Sequence, residues 1–123
     1  MIIADTDVLI DFLSGKGEAP AVERLLSLGT IKTTVITRFE LLSGARTAKQ
    51  RTRLLQLLEA IPSLTLDDAA ADAAGEIRKS LDASGNSIGM ADSLIAGIVT
   101  IHGAALLTRN RRHFERVPGI RLA

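Results

Sequence analysis

The chain has 123 residues, 46% of them apolar and 24% charged, a size and balance that suit one domain with its own buried core. Its 15 basic and 14 acidic residues leave a net charge of +1, so total charge selects no partner, and the lack of cysteine excludes a disulfide framework, a thiolate zinc site and a cysteine nucleophile. No apolar run approaches the ~20 residues of a membrane-spanning helix, and the first residues lack the basic start and long apolar stretch of a secretory signal, so a cytoplasmic protein is expected.

In chain order, Ile2 to Asp5 reads as a short strand ending in an acid, and Val8 to Leu13 has helical apolar spacing until Gly15 and Gly17 break it. Pro20 opens a helix carrying Val22, Leu25 and Leu26, which Gly29 closes. Ile31 to Ile36, rich in threonine and β-branched residues, is the second strand, and Thr37 starts a helix that stops near Gly44. A further helix spans Ala48 to Ala60, ended by Pro62, and its Leu54, Leu55, Leu57 and Leu58 are assigned mainly to the core. Leu64 to Leu66 is a brief third strand, after which Asp67 or Asp68 caps a helix with Ala70, Ala73, Ala74, Ile77 and Leu81 on one face. Met90, Leu94, Ile95, Ile98 and Ile101 mark the next helix, in which Ala96 and Gly97 permit close packing and His102 resembles a C-terminal cap. Ala104 to Thr108 is the fourth strand and Ile120 to Leu122 a candidate fifth. Strands alternating with helices give an α/β fold, with a parallel sheet covered on both faces and ligands at the carboxyl ends of its strands.

Three acids are expected to meet at that edge. Asp5 ends the first strand, Glu40 lies in the first turn of the helix after the second, and Asp92 lies in the first turn of the helix that runs antiparallel into the fourth. Each has an ordinary explanation: Thr37 to Glu40 fits a capping box, Asp92 suits the positive end of its helix dipole, and Asp5 suits the cap of the first helix. Three converging carboxylates nevertheless repel one another unless a proton or cation compensates, and oxygen ligands favour magnesium or manganese. Such a site supports phosphodiester hydrolysis, because a bound cation acidifies an attacking water and neutralises charge growing on the phosphate.

Two basic runs suit a polyanion. Arg46, Lys49, Arg51 and Arg53 have no acid among them, and Arg109, Arg111, Arg112 and Arg116 begin at the edge where the acids lie. With three phenylalanines and neither tryptophan nor tyrosine, contact with a nucleic-acid backbone is expected to outweigh base stacking.

Four segments, in order along essentially the whole chain, resemble the motifs of the PIN-domain family: Ile2 to Asp11, Val35 to Gly44, Gly85 to Ala96, and Leu107 to Phe114 with Val117-Pro118-Gly119. The likeness is greatest to the VapC-type toxins of bacterial toxin-antitoxin pairs. The resemblance implies a single PIN-like three-layer α/β/α nuclease domain over residues 1–123, with four or five parallel strands. It also implies a magnesium-dependent endoribonuclease, usually a homodimer, inhibited by a cognate VapB-type antitoxin. Asp5, Glu40 and Asp92 match the family's metal ligands, with Asn110 in the polar position of the last motif. One departure is visible: where many relatives carry an acid before the phenylalanine of that motif, this chain has His113.

Other readings remain open. Asp5-Thr6-Asp7-Val8 after a strand also resembles the first motif of haloacid dehalogenase-like phosphatases, but the fourth strand is followed by Arg109 and Asn110 and by no carboxylate before Glu115, so Asp7 is assigned to capping or support of the site. His102 and His113 as a metal-free acid–base pair would need to be brought together, and nothing in their spacing does this. A PIN scaffold that binds RNA or a partner without cutting is the non-enzymatic alternative.

Overall fold

In the computed structural model, which describes residues 1–123, short branched strands feed directly into amphipathic helices. The elements are β1 (Ile2–Ala4), α1 (Thr6–Ser14), α2 (Ala19–Leu28), β2 (Ile31–Thr34), α3 (Val35–Gly44), α4 (Ala48–Ala60), β3 (Ser63–Leu64), α5 (Asp68–Ala83), α6 (Met90–Ile101), β4 (Ala105–Leu107), α7 (Arg111–Phe114) and β5 (Arg121–Leu122). All strands pair in parallel in one five-stranded sheet of order β3-β2-β1-β4-β5. The winding therefore reverses at β1, and the crevice between the carboxyl ends of β1 and β4 is the switch point where such sheets bind ligands.

Alternation along the strands builds the two cores. In β1, Ile3 faces a cluster with Leu81, Ile95, Val99, Leu106 and Phe114, while Ala4 faces one with Val8, Leu9, Leu54, Leu58 and Leu107. Full burial of each large side chain here stabilises by about 1.5–3 kcal/mol. Leu54, Leu57 and Leu58 are buried, as their core assignment required, with Leu55 half-buried. Gly97 lets α6 approach α5 closely: a Cβ at this position would lie 2.5 Å from the Ala70 carbonyl oxygen and 2.7 Å from the Ala74 Cβ.

The structure shifts several boundaries. β2 stops at Thr34, whose extended backbone and hydroxyl, accepting from the Thr37 amide at 3.1 Å, make it the cap of α3. The expected capping box from Thr37 to Glu40 thus does not form, and Glu40 lies in the second turn of α3, not the first. β3 is Ser63–Leu64, two residues before the expected end at Leu66. Asp67, not Asp68, caps α5, accepting from the Ala70 amide at 2.9 Å. On α6 the buried face runs through Ser93, Ile95 and Ala96 to Val99, leaving Met90 and Ile101 exposed although both fit the apolar spacing. The single turn α7 was not foreseen, because four residues are too few to display a helical period. No helix is long and apolar enough to cross a membrane.

Candidate active site

Asp5 is the residue that follows β1, and Thr108 is its register neighbour after β4, since Ala4 pairs with Leu107. The Asp5 amide continues the ladder by donating to the Leu107 carbonyl at 2.9 Å. Its carboxylate caps α1, accepting from the Thr6 amide at 2.8 Å, and accepts the Thr108 hydroxyl at 2.7 Å. Asp5 is only 5% exposed. Burial pushes its carboxyl up to about 6; the Thr108 hydrogen bond opposes this, the nearby charge of Asp7 adds to it, the Thr6 amide opposes it, and Asp92 adds the smallest contribution.

Glu40 reaches the same edge from α3 and accepts the Thr6 hydroxyl at 2.7 Å. Thr6 has a single hydroxyl proton, so the 3.0 Å contact between the Thr6 and Thr37 hydroxyls is best satisfied with Thr37 donating, which gives a relay from Thr37 through Thr6 to Glu40. Asp92, in the first turn of α6, accepts from the Asn110 amide nitrogen at 3.3 Å, and the same nitrogen lies 2.9 Å from His113 Nδ1. An amide NH2 only donates, so His113 Nδ1 is the acceptor, and its 3.4 Å approach to Asp92 is a contact between two acceptors clasping one donor. Asp7 accepts the Arg109 amide at 3.2 Å with both oxygens.

Asp5, Asp92 and Asn110 thus line the switch point, while Glu40 is linked to Asp5 through Thr6. The expected antiparallel entry of α6 into β4 does bring Asp92 there. Glu40 turned to Thr6 and Asp92 turned to Asn110 leave no three acidic or histidine side chains closed around one point. The donor set nonetheless fits a hard divalent cation: it is carboxylate and amide oxygen, and the Asp5 carboxyl, raised chiefly by burial and further by Asp7 and Asp92, has no cationic side chain beside it. The sequence assigns Thr37 only a capping role and places neither Thr6 nor Thr108 in the site. Thr108 carried a signal, its place directly after β4 matching that of Asp5 after β1.

The basic runs separate. Arg46, just before α4, and Lys49, Arg51 and Arg53 on its first turns are all exposed, with Arg53 Nη2 donating to the Leu13 carbonyl at 2.9 Å. In the second run Arg109 pairs with Asp11 at 3.0 Å, Arg111 donates to the Ala123 carbonyl at 2.8 Å, and Arg116 donates to the Ser87 carbonyl at 3.0 Å.

A doubly wound parallel sheet with carboxylates gathered at its switch point defines an α/β domain with an oxygen-donor site suited to phosphate chemistry. The PIN domain family model matches residues 2–120. Over 121 residues the chain is 33% identical to the tRNA(fMet)-specific endonuclease VapC of Shigella flexneri, covering 95% of this chain and 92% of that protein. Among solved structures, the DNA-bound VapBC of Salmonella typhimurium matches with a TM-score of 0.84 and 32% identity over 99% of this chain and 96% of that one. VapBC2 of Rickettsia felis, bound to a promoter DNA fragment, matches with a TM-score of 0.85 and 25% identity over 100% and 98% of the two chains. The chain belongs to the PIN domain family, within its VapC ribonuclease branch.

Proposed function

We propose that this protein is a metal-dependent endoribonuclease that hydrolyses RNA phosphodiester bonds as the toxin of a toxin-antitoxin pair, restrained by a VapB-type antitoxin. The observation that carries the chemistry is the gathering of Asp5, Asp7, Asp92 and Asn110 at the switch point of the sheet, tied together through Thr108 and the backbone that follows it. Relatives named as ribonucleases support RNA as the substrate, and the VapBC assemblies support the antitoxin.

Asp5, Glu40 and Asp92 would hold magnesium or manganese, with Asn110 beside them. When bound, the cation supplies acidity to a water and offsets charge developing on the phosphate. The protein's own work is positional. Thr6 and Thr108 fix both oxygens of Asp5, and Thr6, itself backed by Thr37, orients Glu40. Asn110 holds Asp92 and His113 together, so its amide orients the acid supplied by α6. With its carboxyl at about 6, Asp5 is mostly ionised at neutral pH, and below that a cation would have to displace its proton.

Purified protein incubated with a structured RNA tests this reading. EDTA should stop cleavage and magnesium or manganese restore it, and Glu40→Gln and Asp92→Asn should be inactive while their circular dichroism spectra match wild type. Induced without an antitoxin, wild type should arrest bacterial growth and Asp92→Asn should not. Undiminished cleavage in EDTA, or by both variants, would overturn the assignment.

A further inference from the structure

Asp11 is a carboxylate outside the acid site, and at 2% exposure it requires a partner. It accepts from the Glu18 amide at 3.1 Å and pairs with Arg109 Nε at 3.0 Å. The turn after α1 closes over it: Gly17 sits at φ 54°, where a Cβ would collide with the Asp11 carboxylate. The other half of the pair is open. The Arg109 side chain is 54% exposed, and its terminal nitrogens make no hydrogen bond to the protein.

The backbone of Arg109 is held at the same rim. Its amide donates to Asp7, the preceding Thr108 donates to Asp5, and the following Asn110 donates to Asp92. The ion pair and these backbone ties hold a half-exposed cation at the rim of the acid site. Helical rise places Asp11 about 6 Å along α1 from Asp7, on the scale of one nucleotide step of a single strand. A half-exposed pair of this kind adds little net stability, because burying Asp11 costs what the attraction returns. An arginine held by Nε alone presents a planar fork matched to phosphate oxygens. No other arginine of the run is ion-paired: Arg111 and Arg116 donate to carbonyls, and Arg112 is exposed without a partner.

We propose that Arg109, aimed by Asp11, binds the RNA phosphate next to the one under attack, Arg109 being the contact and Asp11 the positioning residue. This rests on the ribonuclease reading. It differs from bulk attraction by a basic surface, because it assigns one fixed guanidinium to one phosphate and makes that contact depend on a buried acid.

Binding of a fluorescently labelled single-stranded RNA, followed by anisotropy in EDTA over a series of salt concentrations, tests it without requiring cleavage. Arg109→Gln should weaken binding several-fold and lower the slope of log Kd against log salt by about one unit. Arg109→Lys should keep the slope but recover only part of the affinity, since it retains the charge without the fork. Asp11→Asn should also keep the slope and lose affinity, because the cation remains but is no longer aimed. Lys79→Gln, on exposed α5 surface, should change neither. In cleavage assays with magnesium, Arg109→Gln should raise KM about ten-fold and leave kcat within about two-fold.

If the pair is only a structural tie, Arg109→Gln will lower the melting temperature while leaving KM and the salt slope at wild-type values, and the proposal falls alone. If wild type binds RNA through Arg109 yet never cuts it with metal, the phosphate contact stands and the ribonuclease reading falls. Absence of RNA binding by wild type overturns both.

Discussion

Replacing Asp5 by asparagine should make the metal-free protein more stable at neutral pH and less responsive to pH. The Asp5 carboxyl lies at about 6 in the fold, against about 3.9 in an unfolded chain. Between these values the folded state retains a proton that the unfolded state has released, so the contribution of this group to stability falls as pH rises from about 4 to about 6 and is flat above. A displacement of about two units corresponds to roughly 3 kcal/mol of cost for holding Asp5 ionised. Asparagine removes that charge and keeps one acceptor oxygen for the Thr6 amide, but its NH2 then faces the Thr108 hydroxyl, which must turn from donor to acceptor, a loss of about 1 kcal/mol. The net gain at pH 7.5 is about 2 kcal/mol, equivalent to roughly 5–10 °C in melting temperature for a domain of this size. Urea unfolding in EDTA, followed by far-ultraviolet circular dichroism at pH 7.5 and 4.5, measures it. The advantage of Asp5→Asn should be present at the higher pH and absent at the lower. Wild type as stable as the variant at pH 7.5, or a difference independent of pH, would refute the account of Asp5 as a buried, uncompensated charge.

Gly97→Ala should destabilise by about 1–3 kcal/mol, because its methyl would overlap the Ala70 carbonyl and Ala74; an unchanged unfolding midpoint would mean that α5 and α6 separate readily. Cleavage products should carry 5′-phosphate and 3′-hydroxyl ends, as attack by water predicts, and mass spectrometry detecting mainly 2′,3′-cyclic phosphate would favour histidine chemistry instead. Restoring the family's acid by His113→Asp, beside Asp92 and Asn110, should lower the magnesium concentration for half-maximal rate and narrow any advantage of manganese, since imidazole is a poor partner for magnesium. A magnesium requirement that stays the same or rises in that variant would point to Asp7 or Glu115 as the group already serving there.

Much of the fold was determined locally. Short β-branched runs, the helical spacing of α5 and the glycines that close α1 and α2 are statements about neighbours in sequence, and all appear in the structure. The gathering of Asp5, Asp92 and Asn110 was legible because parallel strands joined by helices leave one shared carboxyl edge, whatever the detailed packing. Capping was less legible: Thr34 and Thr37 are both good caps by type, and the pairing of β2 with β1 and β3 decided where the strand ended and hence which threonine began the helix. That choice put Glu40 one turn further along α3, where Thr6 rather than a capping amide receives it. Likewise Met90 and Ile101 share the apolar period of α6 but project past the area that α5 and the sheet cover. The union of Asp11 with Arg109 across 98 positions has no local signature at all. It exists because β4 inserts beside β1, which carries the start of α1 and the turn after β4 to the same rim, and only the tertiary structure decides which of many acids a given arginine meets.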